Sequence, residues 1–452
     1  MPNSDKVNNY KFYIINILFI LFPISFVLGN SYINLNIVLF TLCALFFYGK
    51  ELNKLKLNTF DKILIFFFFY SFIVLLIKFF QSKSGGLVFP SVIIDKTFFY
   101  TRFLFLYISL RMLMNIDILK INWFFSSCAF ISIFVCMDIF IQYFFGADIF
   151  GIKPVMPNKL SGPFGEELIA GGFIQRFSLF ALFLPFILNQ KRKLNKILIQ
   201  LFLVFIFLTG TILSGNRMPF VLYVFALFLF FLLDVDFRKK ILVVFLFFIS
   251  ILVLLLFNNK TLTYNMANFY KSGEVLIDVF FINKIDLWKK QPDNKLTEHV
   301  EGSHPIHVKI LTRPYVMEFY CFNYIWKKNI FLGGGIRSYR THAVPCNTHP
   351  HNYYFEILDD LGLFGFFIII ILFFNALYKV LSRNRNKTFL NDYTFNIQTL
   401  NDAKIIPFFL IFLTELFPIR SSGSFFTTNN AAYIFIILAL LISLIEKNEI
   451  KK

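Results

Sequence analysis

All six histidines of the chain, His299, His304, His307, His342, His349 and His351, fall between residues 258 and 352, and the apolar stretches contain none. An imidazole titrates near neutral pH and accepts a proton from a hydroxyl, so acid–base chemistry is to be sought in this segment. His351 has the most informative neighbours, in Thr348-His349-Pro350-His351-Asn352-Tyr353-Tyr354-Phe355-Glu356. Pro350 disfavours helix at the residue before it and Asn352 is a good N-cap, so a helix is predicted to begin just after His351. Its N-terminus would present free backbone N–H groups and partial positive charge, a natural place for a phosphate. The plainer alternative is an interfacial histidine that caps the helix and does no chemistry.

Three groups of cations accompany it. Thr211-Ile212-Leu213-Ser214-Gly215-Asn216-Arg217-Met218-Pro219 reads as a tight turn, with Arg217 at the N-terminus of the next helix. There a guanidinium plus the helix dipole favours a di-anion such as a pyrophosphate, unless the side chain merely snorkels to lipid headgroups. Arg313 lies further on, ahead of Trp326 and Gly333-Gly334-Gly335, and Arg337 and Arg340 follow. The glycines allow positive φ and close approach of backbone to a ligand, or form a plain turn. His349-x-His351 and His304-x-x-His307 are weak zinc patterns, because no Glu or Cys stands at the usual spacing. No metal and no cofactor is expected. Glu356, Asp359 and Asp360 read as a solvated first helical turn beside the N-terminal dipole, with acceptor binding as the alternative.

Successive apolar runs must hold these residues in place. The chain is 57% hydrophobic and only 15% charged, with 68 Phe, which excludes a soluble globular protein. The predicted fold is all-α, a polytopic membrane protein of about 12 transmembrane helices with one large external loop. The spans lie near 12–28, 31–48, 60–80, 97–113, 121–145, 171–189, 196–213, 218–234, 240–257, 353–381, 405–419 and 431–446. Residues 1–257 carry nine of them, 258–352 form the loop and 353–452 carry the rest.

The net charge of +18 is explained by topology. Clusters such as Lys191-Arg192-Lys193, Arg238-Lys239-Lys240 and Arg383 to Lys387 fall on one side, leaving Lys83, Lys96, Lys153, Lys159, Arg217 and Arg420 in the short loops of the other. That asymmetry puts both termini in the cytoplasm and the histidine-bearing segment outside. Basic residues spread between apolar runs give no nucleic-acid surface. Cys43, Cys128 and Cys136 fall inside spans, whereas Cys321 and Cys346 lie outside, either paired or as buried thiols.

With those residues in view, the chain resembles the O-antigen ligase and O-antigen polymerase superfamily of bacterial envelope glycan enzymes. The resemblance rests on His351-Asn352, nine residues from Tyr353 to Leu361, then Gly362-Leu363-Phe364-Gly365 at the outer start of a late span. It rests also on Ser214-Gly215-Asn216-Arg217, and on Arg313 upstream of an aromatic helix ending in Gly333 to Gly335. Phe366 departs from the small or polar residue some members carry next, and the likeness spans roughly residues 196 to 375. It implies an inverting, metal-independent glycosyltransferase of the inner membrane. The donor would be a glycan linked to undecaprenyl diphosphate and the acceptor a lipid or glycan hydroxyl, among membrane lipids. His351 would be the general base, and Arg217 and Arg313 would hold the diphosphate. Arg337, Arg340, His349 and Asn352 are further candidates for substrate binding. Transfer to a lipid core, polymerisation of repeat units and glycosylation of a protein share this donor chemistry. A secondary transporter is the rival from another class, drawn from the span count and from Arg102, Asp138, Arg176 and Glu415 within or near spans.

Overall fold

A computed structural model describes residues 4–84, 90–156, 159–188, 193–233, 314–341, 350–382, 400–418 and 423–450, with isolated positions between 249 and 270. Arg313, His349, the span expected at 240–257 except Ile249, and the other four histidines lie outside the described residues. The described part is helical, with no strand. In order come α1 (Ser4–Ile20), α2 (Phe22–Leu28), α3 (Asn30–Tyr48), α4 (Thr59–Ser84), α5 (Ser91–Tyr100), α6 (Arg102–Asn115) and α7 (Ile121–Phe145). Then follow α8 (Ala170–Ile187), α9 (Lys193–Leu213), α10 (Arg217–Leu233), α11 (Pro314–Trp326), α12 (Tyr353–Ser382), α13 (Leu400–Glu415) and α14 (Thr428–Ile450).

Six of these helices are long and apolar enough to cross a membrane, and α1 with α2 forms a seventh candidate bent by 43°. The bend falls where Pro23 enters the first turn of α2, since proline has no N–H to continue α1. The run expected at 97–113 is likewise broken, ending α5 at Tyr100 and restarting as α6. Helix α8 lies at the centre, against α7, α9, α10 and α13, and α14 packs against α3, α6 and α13. Because lipid tails are as apolar as the core, side chains on the helix faces do not by themselves say which face is inward.

Buried charge marks both ends of the bundle. At one end Arg111 of α6 donates from Nε and Nη2 to the two oxygens of Asp61 on α4, at 3.1 and 3.0 Å, and from Nη2 to Glu446 of α14 at 2.6 Å. At the other, Arg176 of α8 grips Glu415 of α13 through Nε at 2.9 Å and Nη2 at 3.1 Å. The same guanidinium donates to Asn429 at 2.9 Å and Asn430 at 2.6 Å, both on α14, and lies 4.8 Å above the Tyr433 ring. Such groups survive in an apolar bundle only when fully paired, so each cluster fastens three helices at one level.

Candidate active site

Asn352 caps α12 as its residue type predicts: its side-chain oxygen accepts from the N–H of Tyr354 at 2.9 Å and of Phe355 at 3.3 Å. Its amide donates to the Pro418 carbonyl at 2.8 Å, tying the start of α12 to the end of α13. His351, between Pro350 and this cap, has φ of +45°, a left-handed conformation uncommon for a side-chain-bearing residue. The surrounding contacts hold it there.

The chief of those contacts comes from α11. Phe322 stacks on Phe355 with ring centroids 4.3 Å apart and planes 12° from parallel. Glu318 stands four residues before Phe322, as His351 stands four before Phe355. The stack therefore brings Glu318 to His351, with Oε1 3.6 Å from Nε2. This is an ion-pair distance rather than a hydrogen bond. Glu318 is 5% exposed and His351 37%, so the carboxylate is sealed while the imidazole reaches out. Burial holds the His351 imidazole below its ordinary pKa, which keeps it neutral at pH 7.

His351 and Arg217 line one cavity of about 770 Å³, and Lys159, Glu167 and Arg176 lie in the same wall. Arg217 opens α10, and the preceding turn is anchored where the Asn216 amide donates to the Leu168 carbonyl at 2.8 Å. Segment 423–430 closes another side through Gly423, Thr427, Asn429 and Asn430. A neutral base, a cation and a helix N-terminus thus share a space of substrate size. Arg176, by contrast, is committed to Glu415, Asn429, Asn430, Tyr353 and the Tyr433 ring.

The acidic residues of α12 are not solvated. Glu356, Asp359 and Asp360 are 1%, 2% and 0% exposed. Glu356 accepts from the Ser424 hydroxyl at 2.5 Å and the Phe425 N–H at 2.6 Å. Asp360 accepts from the Arg337 N–H at 2.6 Å, the Tyr339 N–H at 3.1 Å and the Ser338 hydroxyl at 3.0 Å. It caps the short 3₁₀ turn Ser338–Thr341 in trans. In place of the solvated turn expected from the sequence, donors from distant segments hold Glu356 and Asp360 inward, while neither carboxylate oxygen of the buried Asp359 has a hydrogen-bond partner.

The glycine triplet also meets protein. Gly334 N–H donates to the Asp359 carbonyl at 2.9 Å and Gly335 N–H to that of Asp360 at 2.7 Å. Those carbonyls are free because α12 breaks at Gly362, and Tyr70 of α4 takes the next one, Leu361, at 2.9 Å. Arg337 and Arg340 follow and lie near Lys96 and Glu356, and neither lines the Arg217 cavity. Glu318 was missed by sequence reading, and only its register with Phe322 could have signalled it. Cys321, on the same helix, is disulfide-bonded, and Cys346 lies outside the described residues.

The described helices thus form the multi-span bundle of a membrane protein, with a cationic, histidine-bearing cavity at one end. A family model described as O-antigen ligase matches residues 202–370, which include Arg217, Glu318, His351 and Gly362 to Gly365, and it places that stretch in the O-antigen ligase superfamily. The superfamily implies a glycosyltransferase-like enzyme working with lipid-linked glycan. No curated protein matches the chain.

Proposed function

We propose that the protein transfers a glycan from undecaprenyl diphosphate to an acceptor hydroxyl at the periplasmic face of the inner membrane, with inversion at the anomeric carbon. The observation that carries this reading is the shared cavity of His351 and Arg217. Glu318 beside Nε2 favours the tautomer with its proton there, leaving Nδ1 as the base. Nδ1 takes the acceptor proton as its oxygen attacks the anomeric carbon. The bond from that carbon to the diphosphate oxygen breaks on the opposite side. Arg217 and the α10 N-terminus receive the charge that collects on the leaving lipid diphosphate, which is electrostatic catalysis. Arg313 is proposed as the second diphosphate ligand, on the resemblance alone.

The test is transfer by purified protein from a lipid-linked donor to a hydroxyl acceptor. His351→Ala should lower turnover by roughly 10² to 10⁴-fold, the scale of one acid–base group, while donor still binds. Full turnover would reduce His351 to a helix cap. The envelope glycans of a deletion strain separate the acceptors: unattached polymer of normal length means ligase, and single repeat units mean polymerase.

A further inference from the structure

Lys96, Arg102, Arg337 and Arg340 come from three parts of the chain and meet beside α12. Gly335 brings the last two: a Cβ there would lie 2.8 Å from Ile93 on α5, so the loop rests one turn before Lys96. Asp360 then fixes the Arg337 backbone in the left-handed region, at φ of +77°. Arg102 begins α6 and donates to the Thr428 hydroxyl at 3.1 Å.

Four cations so gathered repel one another. Burial first, and then Arg337, Arg102 and Arg340, push the Lys96 ammonium down to about 8. Nearby carboxylates offer little relief, since Glu356 is committed to Ser424 and Phe425, and Asp360 to the 337–339 turn. Among the described residues none of the four forms an ion pair, and the buried Nε atoms of Arg102 and Arg340 have no hydrogen-bond partner. Forked donors and concentrated charge fit a phosphate.

We propose that Lys96, Arg102, Arg337 and Arg340 form a second anion site, which takes a phosphate monoester carried by a glycan or by a lipid headgroup. It is separate from the His351 cavity. Segment 423–430 divides the two, with Gly423 and Asn429 in the cavity wall and Ser424 and Thr428 contacting Glu356 and Arg102. A monoester carries about −1.5 to −2 at pH 7, which offsets much of the positive charge of the four cations. The site stands independently of the transfer reaction.

The experiment is calorimetric titration of the full chain in phosphatidylcholine nanodiscs with glucose 6-phosphate, and with glucose as the uncharged control. Glucose 6-phosphate should bind and glucose should not. Lys96→Gln and Arg340→Gln should each weaken binding about tenfold, the scale of one charge-assisted hydrogen bond, with unchanged melting temperature for Lys96→Gln. Binding should persist in Arg217→Ala. Phosphatidic acid in the nanodisc separates the sources: competition with the sugar phosphate shows that a headgroup reaches the site, and no competition shows a site for phosphorylated glycan. Absence of phosphate-dependent binding, or binding lost in Arg217→Ala and kept in Lys96→Gln and Arg340→Gln, overturns the proposal.

Discussion

Gly333 and Gly362 lie backbone to backbone, so that a Cβ built on either would sit within 2.6 Å of the other's amide nitrogen. Gly362 has φ of +66° and ψ of −170°, a conformation essentially confined to glycine, and Gly333 has φ of +72°. This contact breaks α12 and frees the carbonyls that the triplet loop uses. Gly362→Ala should therefore cost at least about 1 to 3 kcal/mol from backbone strain alone. Thermal melting in detergent should show a large loss. Gly49→Ala, where a Cβ meets nothing within 4 Å, is the near-neutral control. Equal melting temperatures for the two variants would contradict the packed kink.

Arg217→Ala should abolish most transfer and Arg217→Lys should retain part of it. An ammonium keeps the charge but lacks the planar fork that matches a diphosphate. Turnover is compared at equal membrane abundance. If Arg217→Ala turns over at the parental rate, the side chain merely snorkels.

Burial lowers the His351 pKa below 6.5, so the base stays neutral at pH 7. Transfer should be flat above neutrality and fall as pH drops through the lowered value, because the imidazolium cannot accept a proton. Glu318→Gln removes the carboxylate that favours the imidazolium, so the acid limb should move to still lower pH and the plateau should drop. A plateau loss with an unmoved limb would assign Glu318 to packing alone.

Arg176→Ala removes the guanidinium that grips the buried Glu415 and should cost about 3 to 5 kcal/mol. The readout is abundance and melting temperature, and Arg176→Ala combined with Glu415→Gln should recover part of the loss. Normal stability with lost transfer would instead make Arg176 a substrate ligand in the cavity wall.

The proposed orientation is tested by fusions. A reporter active only outside the cytoplasm should work near residue 295 and fail near residue 193, since the proposed topology puts the Lys191 to Lys193 loop in the cytoplasm. The reverse pattern would invert every proposed site.

The sequence by itself determined what depends on local physics. Apolar runs of membrane-spanning length require helices, because unpaired backbone groups cannot stand in lipid, and Asn352 beside Pro350 sets where α12 begins. Spacing also singled out His351 and Arg217, each beside a helix N-terminus. Only tertiary structure decided that the two share a cavity, since nothing in a helix apolar on every side says which neighbour it meets. It likewise decided that Glu318 faces His351 through a stacked Phe pair, and that Gly333 meets the Gly362 kink. Glu356 and Asp360 show the reason most plainly. By sequence they are acids near a helix N-terminus, where solvent and dipole suffice, yet their hydrogen-bond donors are Ser424, Phe425, Arg337, Ser338 and Tyr339, which no local spacing reveals.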